Sequence, residues 1–243
     1  MTFIVLAAGK GIRANSAKLR IPKVLLKGND GVSLLVKILE QNKKYSSDKR
    51  LNIVMGFLFD QIVEEIESYR QIHYSQDINL ILNSDYERGV ITSLYKGIQH
   101  LDEDVVILNG DTYYSANIYK TINTLEKTTL LVVPKQLLPD AVKVETKDTK
   151  IMRVGKNLSD FSYISTGCLF LAQAHLKKAV TILENLYMDT HIEHMIWHQL
   201  INFLVDRGED IFIKEVKADS TFEVDTQEDY KKFVNSKLSN DKE

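Results

Sequence analysis

The chain has 243 residues, 44% of them hydrophobic, with 31 Lys/Arg against 33 Asp/Glu and a formal charge of −2. This length and apolar content suit one α/β domain with a substantial core, and the near-neutral balance, with no Lys/Arg run beyond what solvated helix faces carry, argues against non-specific nucleic-acid binding, which rests on clustered cations. The lone Cys168 excludes an intramolecular disulfide, no apolar run reaches bilayer length, and Met1 leads straight into a strand pattern, so a cytoplasmic protein without membrane insertion is expected.

In chain order, an apolar strand at Thr2–Leu6 runs into Ala7-Ala8-Gly9-Lys10-Gly11-Ile12-Arg13, and a polar insert separates this from Ile21-Pro22-Lys23. Gly9 and Gly11 are expected to turn the backbone off the strand and aim its amides into a concavity, with Arg13 and Lys23 as cations for an anion held there. The spacing Gly9-x-Gly11-x-x-Ala14 also fits a dinucleotide fingerprint. Pro22 argues against that reading, because it stands where a full helix should run and pushes its predecessor away from helical angles. No acidic residue closes the second strand to hold a ribose, and no Gly-Lys-Ser/Thr follows to make a P-loop. The start is read as a site for a nucleoside triphosphate.

Further strands are predicted at Leu51–Met55, Ile78–Leu82, Asp104–Leu108, Thr129–Val133, Ala141–Thr146, Lys150–Val154, Ser165–Ala172 and Ile211–Val216. Helical periods run over Ser33–Lys44, Asp60–Arg70, Val90–His100, Ala116–Glu126, Gln173–Asn185, Thr190–Arg207 and Thr226–Lys237. The first half reads βαβαβαβ, which calls for a mostly parallel sheet with helices on both faces, a three-layer α/β sandwich whose ligands lie beyond the carboxyl ends of the strands. Past Lys135 two hairpin-like strands intervene and the sheet is expected to become mixed. Residues 1–235 are expected to form one domain, with 236–243 a frayed tail.

Two acids stand out. The strand Val105–Asn109 delivers Gly110-Asp111 at its end, and Asp225 opens the last helix. Mg²⁺ is usually held by one or two carboxylates plus substrate phosphates, so an aspartate pair from separate elements suits a nucleotide–metal complex. Each residue also has an ordinary reading, Asp111 as a turn residue and Asp225 as the neighbour of a Thr226/Asp229 capping box.

The Leu6-Ala7-Ala8-Gly9-x-Gly11-x-Arg13 start, Pro22-Lys23, Gly110-Asp111 and Glu223-Val224-Asp225-Thr226-x-Glu228-Asp229 together resemble, over nearly the whole chain, the nucleotidyltransferase family with a glycosyltransferase-A-like fold. That family includes sugar-1-phosphate nucleotidyltransferases and the phosphocholine cytidylyltransferases of bacteria. The resemblance implies that Ala7 and Gly9 backbone groups help hold the base, with Leu6 and Ala8 also nucleotide-binding, that Gly11 and Arg13 meet the β and γ phosphates, that Lys23 meets the α phosphate, and that Asp111 and Asp225 hold Mg²⁺. The segment Asn83–Leu94 lacks the Gln and Leu-Gly-Thr-Ala run of the hexose-1-phosphate enzymes and looks like the cytidylyltransferase and molybdopterin branches. Asn83, Gly89 and Ser93 would then serve a pyrimidine, although Asn83 and Ser93 read equally well as cap and turn residues. The order from Asp140 to Gly167 resembles the phosphocholine and phosphonate cytidylyltransferases, with Lys156, joined by Lys143, offered to the acceptor phosphate; solvated strand-edge lysines are the ordinary alternative.

Other features are given ordinary roles. His194 and His198, four apart, lack a third zinc ligand, and Cys168 reads as core. The apolar stripe of Ile192, Met195, Ile196, Leu200 and Phe203 suits core burial, with a homodimer contact as the alternative. Tyr86, Tyr113, Tyr114, Tyr163 and Trp197 are candidates for a cage around a quaternary ammonium. The expected activity is CTP-dependent transfer of CMP to a small phosphorylated acceptor, phosphocholine first, catalysed by Lys23, Arg13, Lys156 and Mg²⁺ without a protein nucleophile. A nucleotidyltransferase using another triphosphate, on a sugar 1-phosphate or a molybdopterin, is the alternative enzyme, and a nucleotide-binding regulatory subunit the alternative without turnover.

Overall fold

The sheet is built first from the near-continuous apolar runs that parallel strands require when both faces are covered. β1 (Thr2–Ala7) lies between β2 (Arg50–Met55) and β4 (Val105–Asn109), and β3 (Ile78–Leu82) pairs with β2, all parallel. The computed structural model describes residues 1–11, 20–46, 48–72, 77–136, 138, 140–189 and 191–236. The predicted contributions of Ile12, Arg13 and Ala14, and most of the predicted tail, lie outside those residues.

Crossovers between these strands are supplied by α1 (Leu34–Ser46), α2 (Phe59–Ile72) and α3 (Val90–Ile98). Past α4 (Ala116–Ile122), the strands β6 (Thr129–Pro134), β7 (Lys143–Lys147), β8 (Lys150–Gly155), β9 (Tyr163–Leu171) and β10 (Phe212–Glu215) extend the sheet in the order β3-β2-β1-β4-β9-β6-β10-β8-β7. β9 runs antiparallel to β4 and β6, so the sheet is mixed beyond β4, as expected. β7 also returns to β9 through Lys143↔Ile164 and Val144↔Tyr163, which closes a hydrogen-bonded circuit through β9, β6, β10, β8 and β7. Helices α5 (Gln173–Met188), α6 (Gln199–Val205) and α7 (Gln227–Asn235) complete the described α-helices.

Alternate residues of β1 feed two separate cores, as a period of two dictates. Phe3, Val5 and Ala7 pack with Leu35 and Ile38 of α1, Ile62 and Ile66 of α2, Tyr119 of α4 and Phe233 of α7. Ile4 packs with Ile91 and Leu94 of α3, Leu176 and Leu183 of α5 and Leu200 of α6. Among the described residues, no helix is long and apolar enough to cross a membrane.

Three expectations need correcting. Among the described residues of the helix predicted at Thr190–Arg207, only Gln199–Val205 are helical. Asp189 Oδ1 accepts the His191 N–H and Arg88 holds the Tyr187 and Asp189 carbonyls, so the chain leaves α5 through turns. Helix α4 stops at Ile122 rather than Glu126, where the Thr121 and Thr124 hydroxyls take main-chain carbonyls. Two three-residue strands, β5 (Thr112–Tyr114) and β11 (Thr221–Glu223), escape the sequence reading and pair antiparallel with each other.

Candidate functional site

The carboxyl ends of β1 and β4 open onto a cleft of about 1160 Å³. Gly110 sets how closely those ends approach, because its N–H donates to the Leu6 carbonyl at 3.0 Å and a Cβ there would meet that same oxygen at 2.6 Å. The β5–β11 ribbon then folds the last part of the chain across β4. Glu223 stands opposite Thr112, and the Val224 N–H donates to the Asp111 carbonyl at 2.8 Å. In this way residues more than a hundred positions apart share one corner of the cleft.

Lys23 is the centre of that corner. Pro22 precedes a single 3₁₀ turn over Lys23–Leu25, and the turn delivers the Lys23 ammonium between two acids, 2.7 Å from Asp111 Oδ2 and 2.8 Å from Asp225 Oδ1. The side chain is 9% exposed. Burial alone would lower its pKa, but the charges of Asp111 and Asp225 and their hydrogen bonds outweigh that and leave it raised, so the ammonium is held protonated. Ligand atoms of Asp111, Glu223 and Asp225 all lie within 4.8 Å of one another. Three carboxylates make a set of hard donors that could hold Mg²⁺ or a similar dication, so the residues present fit the ion. Sequence reasoning did not add Glu223 to the two candidate acids. That residue is exposed on a strand too short to read, and only its place two residues before Asp225 could have pointed to it. The Thr226/Asp229 capping box forms as well, so Asp225 has an acidic-cluster setting and Thr226 a capping one at the same helix start.

Leu6, Ala7, Ala8, Gly9, Lys10 and Gly11 line the adjoining wall. Gly11 is left-handed, with φ of +58°. Gly9 has neither a positive φ nor neighbours that would touch a Cβ, so the steric demand expected of it falls on Gly11 alone. Lys10 is ion-paired with Glu87.

The segment expected to serve the base divides. Ser93 lines the cleft, but Asn83 and Gly89 do not. Asn83 is fully buried behind it, donating to Thr92 Oγ1 at 2.8 Å and Ser93 Oγ at 2.9 Å and accepting the Asp85 N–H at 3.0 Å. Gly89 caps α3 at φ +111°, where a side chain would strike the Ile192 carbonyl at 2.9 Å. Both support Ser93 and α3 rather than facing a ligand.

At the opposite wall stand Lys156, which follows β8, and Ser165, Thr166, Trp197 and His198. Lys143 is not among the lining residues; its ammonium lies over the Phe161 ring, 5.3 Å from the centroid. The expected aromatic cage does not gather, since only Tyr86 and Trp197 of the five candidates line the cleft. Tyr113 and Tyr114 are buried. Tyr114 instead ties the floor together, accepting the Asn109 N–H and donating to the Gly167 carbonyl, each at 3.0 Å. The Trp197 indole N–H donates to Asn109 Oδ1 at 2.8 Å. His198 is not on a helix face with His194, as the spacing suggested, but buried in the cleft wall, and burial followed by the Lys156 charge pushes its pKa down to about 3. Cys168 is buried on β9 as expected, and burial pushes its thiol pKa far up.

The mixed α/β sheet whose strand ends carry this cleft has the α/β nucleotidyltransferase fold. The MobA-like NTP transferase domain matches residues 3–137, and the chain belongs to that family. The chain is 24% identical over 188 residues to the bifunctional IPC transferase and DIPP synthase of Thermococcus kodakarensis, a match that covers 75% of this chain and 40% of that protein. Among solved structures, the inositol-1-phosphate CTP transferase of T. maritima superposes with a TM-score of 0.80 at 20% identity, over 99% of this chain and 96% of that one. The CTP:phosphocholine cytidylyltransferase of Streptococcus pneumoniae gives 0.76 at 21%, over 96% and 97%.

Proposed function

We propose that the chain transfers CMP from CTP to a small phosphorylated acceptor. An acceptor phosphate oxygen would attack the α phosphorus of CTP; the bond from that phosphorus to the bridging oxygen breaks, and pyrophosphate leaves with the electron pair. The observation that carries the reading is the Lys23 ammonium held between Asp111 and Asp225 at the strand ends. Phosphoryl-type transfer needs little beyond positioning and neutralisation of charge on phosphate oxygens, and this corner offers both.

The glycine turn from Ala7 to Gly11 and Arg13 would cradle the triphosphate, Lys23 would meet the α phosphate, and Ser93 would face the base. Asp111 and Asp225, with Glu223, would hold Mg²⁺, which when bound supplies charge neutralisation at the phosphates. Lys156 would receive the acceptor phosphate. The three-layer arrangement, with helices packed on both sheet faces, serves here as the rigid frame for these groups.

CTP is favoured by the resemblance of the Asn83–Leu94 segment and by the CTP-using proteins named above. For the acceptor, the dispersal of the aromatic residues favours a hydroxylated phosphate, a sugar or cyclitol phosphate, over phosphocholine, whose quaternary ammonium gains most from surrounding ring faces. Pyrophosphate release from each of the four triphosphates, paired in turn with inositol 1-phosphate, glucose 1-phosphate and phosphocholine, tests the reading. CTP-dependent release with a phosphorylated acceptor is expected; turnover confined to another triphosphate would reassign the base.

A further inference from the structure

The wall beyond Lys156 contains a pair of side chains for which the reading above has no use. His198 is 4% exposed, stacks on Trp197 with ring centroids 3.7 Å apart, and places Nε2 2.8 Å from Ser165 Oγ. That oxygen also accepts the Gly167 N–H at 3.0 Å. The second ring nitrogen, Nδ1, is buried without a hydrogen-bond partner.

The contacts of the two ring nitrogens select a tautomer. An orphaned buried N–H is rarer and costlier than an acceptor left with a bare lone pair. The proton therefore belongs on Nε2, where it is donated to Ser165, and Nδ1 keeps the lone pair. Ser165 Oγ then receives two donors, the Gly167 amide and the His198 imidazole, and both of its lone pairs are engaged. What remains to it is its own O–H, and Ser165 is half-buried in the cleft wall beside Thr166. A hydroxyl fed by two donors can only give a proton outward, which suits an oxyanion and not another donor. The imidazole stays neutral because burial, and then the Lys156 charge, hold its pKa near 3.

We propose that Ser165 and His198 form a phosphate-positioning pair in the acceptor half of the cleft: Ser165 donates its hydroxyl proton to an acceptor phosphate oxygen, and His198, acting through it, holds Ser165 in the donor orientation. Lys156 supplies the charge and Ser165 the direction. The inference rests on the function proposed above, and it names the residues that orient the nucleophilic phosphate for attack.

Steady-state kinetics at saturating CTP, with inositol 1-phosphate or phosphocholine varied, should be compared for the wild type, Ser165→Ala, His198→Leu and His198→Gln. A hydrogen bond to a charged group is worth about 1.5–3 kcal/mol, so Ser165→Ala and His198→Leu should raise the acceptor KM about tenfold or more while the KM for CTP moves less than about twofold. His198→Gln, whose amide N–H can stand in for Nε2–H, should recover most of the loss. An unchanged acceptor KM in Ser165→Ala, or a His198→Gln as impaired as His198→Leu, overturns the pair. A second measurement needs no turnover. In ¹H–¹⁵N spectra of the wild-type imidazole rings, His198 should be neutral and protonated on Nε2, and its signals should move when inorganic phosphate is added. A ring protonated on Nδ1, or one indifferent to phosphate, overturns the proposal even if every variant misfolds. Should the wild type release no pyrophosphate with any pairing, the functional reading fails, and the spectra still decide the pair.

Discussion

The two walls of the cleft handle polar burial in opposite ways. At the acidic corner Lys23 is desolvated and then compensated by two carboxylates at 2.7 and 2.8 Å, so every group there is charged. Across the cleft His198 is just as buried, yet it is kept neutral and bonded to an uncharged hydroxyl. The first wall stores opposite charges that a charged ligand can rearrange; the second stores a fixed direction. Removing one partner should therefore cost far more at the corner, where a buried charge is left uncompensated, than at the wall.

The largest expected effect breaks the corner. Lys23→Ala should cut turnover about 10²- to 10³-fold at saturating CTP and acceptor, the scale of losing one preorganised electrostatic contact. The variant's melting temperature should also rise with Mn²⁺ or Mg²⁺ by more than the wild type's, because Asp111 and Asp225 lose the ammonium that now neutralises them. Near wild-type turnover, or an equal thermal response, would remove Lys23 from the centre of the site.

The next sharpens the neutral wall. The His198 pKa is lowered in the folded state to about 3 from an unfolded value near 6.5, so between those values the unfolded chain binds the extra proton and stability falls as pH falls. From pH 7 to pH 4 the loss from this residue is about 3 kcal/mol. Urea unfolding at both pH values should show that loss in the wild type and its absence in His198→Gln. The same slope in both proteins would mean that His198 is solvated.

Lys156→Ala should raise the acceptor KM about tenfold and leave the KM for CTP nearly unchanged, the signature of a charge that meets one substrate only. A parallel loss for CTP would move Lys156 to the triphosphate side. The smallest effect belongs to the floor that both walls share. Tyr114→Phe strips a hydroxyl that accepts from Asn109 and donates to Gly167, and should cost about 1–2 kcal/mol in denaturant unfolding with little change in either KM.

How far the sequence could be read depended on how each group is held in place. The strands β1 to β4 were legible to within about a residue because Phe3–Val5 and Val105–Leu108 are unbroken apolar runs and Leu51–Val54 is interrupted only by Asn52, and burial on both faces demands such near-continuous runs. Asp111 and Asp225 were legible because each ends or begins an element. Glu223 was not, since β5 and β11 are three residues long and exist only through each other. Asn83 and Gly89 were placed in the right neighbourhood but given the wrong task, because a side chain that supports Ser93 and one that faces a ligand look alike in sequence. The segment from His191 to His198 carries apolar residues at helical spacing, yet turns bury Ile192 and Trp197 just as well. Spacing alone does not distinguish a helix from a turn that packs.

The β5–β11 ribbon also bears on the order in which the molecule can be assembled. The pairings among β1, β2, β3 and β4 are complete once the ribosome has made the first 109 residues, whereas Thr221, the first residue of β11, comes more than a hundred residues later. Until then Asp111 has neither Glu223 nor Asp225 near it, and Tyr113 and Tyr114 lack the strand that pairs with theirs. At the usual pace of synthesis, about 5–20 residues per second, this leaves a nascent chain several seconds in which a folded-looking half carries an unpaired strand edge. A chaperone or aggregation phenotype would be expected to map to that interval, and chains arrested after Tyr114 but before Tyr163, whose β4 still lacks β9 as well, should be more prone to associate than chains arrested just before Thr221.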